Sequence, residues 1–185
     1  EAVVTGRRDV GKLRISASRA EVKIEVNLVS RGVLAPCQEL PLCDTAQREF
    51  DAFCAINVVP FEQLYGGKIC AALDRQHPRD LFDVRKLLEN EGFTEDIKNG
   101  LIFALLSSPR PIDELVAPNL LNQRATLENH FAGMSADAFT YKDFEAARAE
   151  LIHKLGESLS DDDRAFLLGF HRLEPDWAHF DLSGF

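Results

Sequence analysis

What is scarce in this chain of 185 residues sets the first limits. No apolar run approaches the eighteen or so residues of a membrane-spanning helix, and the longest stretch, around residues 101–106, is far shorter, so no membrane partner is expected. Glycine and proline number 11 and 8, and no fixed period recurs, which excludes collagen-like, coiled-coil and low-complexity classes. The start, Glu1-Ala2-Val3-Val4, has no methionine and none of the basic-then-apolar pattern of a signal peptide. The expectation is a chain whose beginning is missing. The four cysteines, Cys37, Cys43, Cys54 and Cys70, are separated by five, ten and fifteen residues, none of them the close spacing of a zinc site. Cys70 falls in a helical pattern and Cys54 precedes an apolar strand, so buried, reduced thiols in a reducing cytoplasm are expected.

What is present is the material of one ordinary globular domain or two small ones, 45% hydrophobic and 28% charged. The net charge of −9 argues against a nonspecific nucleic-acid coat, but it is unevenly spread. Residues 1–31 carry +3 and residues 68–86 carry +2, whereas residues 32–67 carry −4 and residues 87–185 carry −10. Two basic segments in an acidic chain suit a phosphate-bearing ligand, and an excess of so few charges also suits chance.

Residues 11–17 and 21–28 alternate apolar with polar side chains and predict two strands joined as an antiparallel hairpin, with Lys23, Glu25 and Asn27 on one polar face. A Pro/Cys-rich loop over 32–44, a helix over 45–53 and a short strand over 55–59 follow. From Pro60 onward the pattern is helical, with segments at 61–75, from Pro78, and at 94–107, 119–132, 140–159 and 161–170. Leu81, Val84, Leu87 and Leu88 form one apolar stripe, and Thr140 with Asp143 and Ser160 with Asp163 resemble capping boxes. The predicted class is α+β, with a soft boundary at Val59/Pro60.

Gly66-Gly67-Lys68 suggests a phosphate loop, but Glu62 and Ile69 stand where that motif needs a glycine and a hydroxyl. What remains is Lys68 with Arg75 seven residues later, nearly two helical turns, so both cations project from one face. Gly66 and Gly67 allow close approach of a ligand or another backbone. After Pro78 comes Arg79-Asp80-Leu81-Phe82-Asp83, with Asp80 in a first helical turn and Asp83 one turn on, within reach of Arg79. These residues read equally as helix-end electrostatics or as two acids and two cations converging on a pocket. Glu25 is either one of the alternating charges of an exposed strand face or a rigid carboxylate for a divalent metal. The five histidines have no partner at metal or triad spacing, and surface or capping roles are expected for them.

Three segments together resemble the AbiEii/AbiGii toxin family of nucleotidyltransferases: Lys23-Ile24-Glu25-Val26-Asn27, the run from Leu64 through Gly66-Gly67-Lys68 to Asp74-Arg75, and His77-Pro78-Arg79-Asp80-Leu81-Phe82-Asp83-Val84. The ending from Phe166 to Trp177 is similar to that family's C-terminus, so the resemblance spans about residues 12–177. It implies a polymerase-β-type enzyme. Residues 1–59 would be the later part of the palm sheet, and residues 60–185 a helical domain carrying the lysine and Arg-Asp-x-x-Asp motifs. The resemblance assigns Glu25 as a catalytic strand acid and metal ligand, Lys68, Asp80 and Asp83 as catalytic, and Lys68, Arg75 and Arg79 as nucleotide-binding. The implied chemistry moves a nucleoside monophosphate from a nucleoside triphosphate to a hydroxyl acceptor, with Mg2+ as cofactor. RNA, in some members tRNA ends, is the implied acceptor, and the implied setting is a toxin of a toxin–antitoxin or abortive-infection (phage-defence) system, with a separate antitoxin as partner. The family's first motif, a glycine turn leading to Asp-x-Asp, has no counterpart in residues 1–10, so the expectation is an N-terminally truncated and catalytically inactive chain, or a degenerate one. The rival reading is a non-catalytic helical binding module with a phosphate-holding cationic patch.

Overall fold

The computed structural model describes residues 12–17, 20–25 and 32–179. The chain divides into two compact units, residues 1–32 and 33–185. The boundary read at Val59/Pro60 is one of element type, and it falls inside the second unit.

In the first unit, β1 (Lys12–Ala17) pairs antiparallel with β2 (Ala20–Glu25). The register sets Leu13 opposite Ile24 and Ile15 opposite Val22 on one face, with Lys12 opposite Glu25 and Arg14 opposite Lys23 on the other. The predicted hairpin is therefore present as far as Glu25. Asn27 and the end of the predicted second strand lie outside the described residues.

The second unit opens with β3 (Gln38–Pro41), α1 (Asp44–Phe50) and β4 (Ala55–Val58), and β3 pairs antiparallel with β4. β3 lies within the segment read as a loop. It is four residues long and ends in proline, which gives alternation too little length to register. Cys54, expected to be buried, is exposed along with Cys37 and Cys43, whereas Cys70 is buried and its thiol is pushed up to about 11 by burial and by neighbouring Asp74.

The rest is helical: α2 (Phe61–Arg75), α3 (Pro78–Asn90), α4 (Glu95–Ser107), α5 (Ile112–Val116), α6 (Arg124–His130), α7 (Tyr141–Ser158), α8 (Asp161–His171) and a 3-10 turn at Trp177–His179. The core gathers Ile69 of α2, Leu81 of α3, Leu101 and Ile102 of α4 and Phe144 and Leu151 of α7. The crossing of α2 and α4 depends on two glycines. A Cβ on Gly66 would lie 2.1 Å from the Gly100 carbonyl carbon, and one on Gly100 would lie 1.9 Å from the Glu62 oxygen, so neither position has room for a side chain. The close approach that Gly66 permits is thus to another helix backbone, while Gly67 faces open space.

Thr140 with Asp143 and Ser160 with Asp163 form capping boxes that start α7 and α8. Asp163 does more. Its carboxylate, 3% exposed, also accepts from Lys98 Nζ of α4 at 2.8 Å and lies 2.9 Å from His179 Nε2, tying three segments together. Burial alone would raise its pKa. The hydrogen bonds from Lys98, Ser160 and His179 outweigh that and hold it well below the ordinary carboxylate range. No described helix is long and apolar enough to cross a membrane.

Candidate functional site: the cationic face of the α2–α3 hairpin

Helices α2 and α3 meet at a two-residue corner, Gln76 and His77, and fold back along each other. The turn is sharp because Gln76 takes a left-handed conformation (φ 48°, ψ 35°). α3 starts at once because three local features favour it. His77 caps it, with Nδ1 accepting the Arg79 backbone N–H at 3.1 Å, Pro78 occupies the first turn, and Asp80 complements the helix dipole. The buried stripe Leu81, Val84 and Leu87 then fixes which side of α3 faces outward.

That fold-back sets two ion pairs like rungs. Lys68 Nζ is 2.6 Å from Asp83 Oδ2, and Arg75 Nη2 donates to Asp80 Oδ1 at 3.0 Å. The seven-residue spacing correctly placed both cations on one face. Asp83, expected within reach of Arg79, pairs with Lys68 instead, because packing of α3 on α2 brings the lysine closer than one turn of its own helix brings the arginine. The Arg79 guanidinium has no ion pair or hydrogen bond with any described residue.

The two rungs differ in solvation. Lys68 and Asp83 are each more than a third exposed (38% and 37%), so their pair contributes about 0–1 kcal/mol and is readily exchanged for another anion. The Asp80 side chain is 13% exposed, and its buried Oδ2 lies 2.9 Å from Arg75 Nη2 without a directed hydrogen bond. That oxygen is paired with the Arg75 guanidinium as a charge but receives no directed hydrogen bond from a described residue, and a buried acceptor left so costs up to about 1–3 kcal/mol.

Glu25 belongs to the other unit. It accepts from Lys23 Nζ at 2.8 Å and Lys12 Nζ at 3.2 Å, and these two lysines hold its pKa below the ordinary value. A carboxylate bonded by two ammonium groups is not arranged as a metal ligand. Asp80 and Asp83 are likewise engaged by Arg75 and Lys68, and among the described residues no three His, Cys, Asp or Glu side chains stand together as a metal site. A divalent ion requires several oxygens at once, so the described residues do not fit Mg2+ by themselves.

Reading the sequence missed the residues that hold the corner. Gln76, buried at 2% exposure, bonds to Asn119, Leu121 and Arg148, and Gln123 Nε2 donates to the Arg75 carbonyl at 3.0 Å. One signal was available: Arg148 interrupts the apolar stripe of Phe144, Leu151 and Leu155 on α7.

Neither the curated proteins nor the solved structures offer a match. A family model described as "Nucleotidyl transferase AbiEii toxin, Type IV TA system" does match, over residues 1–182, which is nearly the whole chain. The chain therefore belongs to the AbiEii family of nucleotidyl transferase toxins of Type IV toxin–antitoxin systems.

Proposed function

We propose that the α2–α3 face holds a nucleoside triphosphate for transfer of its nucleoside monophosphate to a hydroxyl acceptor, RNA or a tRNA end. In that step the acceptor oxygen bonds to the α-phosphorus and pyrophosphate leaves. The observation that carries this reading is the juxtaposition of an exchangeable Lys68–Asp83 pair, an Arg79 without a partner among the described residues and the under-bonded buried Oδ2 of Asp80. Lys68 acts as a point charge on the triphosphate, displacing its bond to Asp83, and Arg75, aligned by Asp80, offers a planar fork to a second phosphate. Arg79 adds a third cation. The setting we propose is a cytoplasmic toxin acting in phage defence with a separate antitoxin; family membership supports the toxin–antitoxin part of it.

Because the described residues do not assemble a metal-binding carboxylate set, triphosphate binding to this face is expected without divalent metal, and transfer by the 185 residues alone is expected to be slow or absent. The engagement of Glu25 by two lysines favours the second reading, a non-catalytic module that holds phosphate. The experiment follows label from each α-labelled nucleoside triphosphate into total RNA, using the protein as its gene encodes it and the 185-residue chain in parallel. The expected result is transfer by the encoded protein that Lys68→Ala abolishes. Transfer that survives Lys68→Ala removes that residue from the site, and triphosphate binding without transfer by either protein selects the binding module.

A further inference from the structure

The corner between α2 and α3 is fixed by contacts that neither helix provides. Gln76 holds a left-handed backbone that a non-glycine residue seldom adopts, and its side chain makes three hydrogen bonds. Nε2 donates to the Asn119 carbonyl at 2.7 Å, while Oε1 accepts from the Leu121 N–H at 3.0 Å and from Arg148 Nη1 at 3.0 Å. Arg148 stands on α7 and is 8% exposed. Its Nη1 also donates to the Leu121 carbonyl at 2.7 Å, and its guanidinium lies 4.9 Å from the centroid of the Phe144 ring. No carboxylate among the described residues pairs with it.

A buried cation without a counter-ion is costly to desolvate, and an apolar side chain of similar volume would extend the stripe of α7 at no such cost. What the arginine controls is therefore informative. On one side of Gln76 is Arg75, paired with Asp80. On the other is His77, whose ring receives the N–H of Arg79 and starts α3. A rotation at this corner would change the direction in which α3 carries Arg79 relative to Arg75 on α2.

We infer that Arg148 is a positioning residue for the cationic face: acting through Gln76, it holds the α2–α3 corner in its left-handed turn so that Arg75 and Arg79 converge with Lys68 on one polyanion. Its own charge adds to the potential behind that face. The inference rests on the triphosphate reading above and adds a residue on a helix outside the hairpin, 72 positions along the chain from Gln76.

The test titrates labelled ATP, without divalent metal, into the wild-type chain and into Arg148→Met, Arg148→Lys, Gln76→Gly and Lys68→Ala, with the fold of each checked by circular dichroism and thermal midpoint. Methionine removes the buried charge but also the donor to Gln76 Oε1 and to the Leu121 carbonyl, so the midpoint is expected to fall while the fold is kept, and a merely structural role would lower the midpoint without changing the affinity. The expected result is a Kd raised at least tenfold in Arg148→Met and partly restored in Arg148→Lys. Gln76→Gly tolerates the left-handed turn but loses its side-chain bonds, and a Kd raised at least threefold is expected; this variant decides the matter if Arg148→Met does not fold. Wild-type affinity in both Arg148→Met and Gln76→Gly, with Lys68→Ala still weakened, overturns the inference and leaves the triphosphate reading standing. No binding by the wild type, or full binding by Lys68→Ala, overturns that reading and this inference with it.

Discussion

The hairpin β1–β2 and the helical hairpin α2–α3 both present paired charges, but they are anchored differently. Glu25 sits on a two-stranded ribbon in which Val22 is 56% exposed, and it is held by lysines of the same ribbon. Lys68, Arg75, Asp80 and Asp83 stand on helices whose other faces are buried in the core through Ile69 and Leu81, both at 0% exposure. Two strands alone gain little stability from their own pairing, whereas an amphipathic helix gains most of its stability from the packing of its apolar face. The same ion-pair chemistry is therefore preorganised in one place and only locally tethered in the other. Preorganisation lowers the cost of binding, and this is why the ligand-holding role is assigned to the helices.

That difference can be challenged first where the body is tied together. Removing Asp163 leaves Lys98 buried with only an exposed glutamate, so Asp163→Ala is expected to cost about 3–5 kcal/mol in urea unfolding, the range for breaking a buried pair on one side. The pH dependence follows in sign. The folded pKa of Asp163 lies below its ordinary 3.8, so the unfolded chain binds more protons there, and the stabilisation is present above that value and lost as pH falls through the folded pKa. A wild-type chain that keeps its unfolding midpoint far below pH 3.8 would contradict it.

Next in size is the helix crossing. Gly100→Ala drives a Cβ into the Glu62 carbonyl and is expected to cost about 2–3 kcal/mol by overpacking. Ile24→Thr on the ribbon, where Ile24 is 44% exposed, should stay within about 0.5 kcal/mol. Equal effects would erase the contrast between the two anchorages. The smallest expected effect is at the cap of α3. Burial, and then the nearby Arg79, lower the His77 pKa from its ordinary 6.5. The ring must be neutral at Nδ1 to accept the Arg79 N–H, so the cap is fully present above pH 6.5 and is lost as pH falls through the folded value. The Arg79 amide should then exchange faster with solvent; an amide whose protection ignores His77 titration would show that the cap does not depend on that nitrogen.

Much of the body was legible because its signals are local. The stripe on α3, the capping boxes of α7 and α8 and the seven-residue spacing of Lys68 and Arg75 all lie within one helix or its first turn. β3 and α5, at four and five residues, are too short for periodicity to show. The helix expected over 119–132 begins only at Arg124, since the Asn119 carbonyl and the Leu121 N–H are taken by the Gln76 side chain. The choice of Lys68 over Arg79 as partner of Asp83 is decided by packing between helices, which no spacing within α3 records. Gln76 and Arg148 are far apart in sequence, and only the misplaced charge on the stripe of α7 hinted at their contact.

The most direct measurement is equilibrium binding of a nucleoside triphosphate to the wild-type chain, to Lys68→Ala and to Glu25→Gln, in the absence of divalent metal. Lys68→Ala removes an exposed ion pair and should leave unfolding within about 0.5 kcal/mol of wild type. The predicted result is salt-sensitive binding that Lys68→Ala weakens at least tenfold and Glu25→Gln leaves unchanged. Wild-type affinity in Lys68→Ala, or loss of binding in Glu25→Gln alone, would contradict the assignment of the triphosphate to the α2–α3 face.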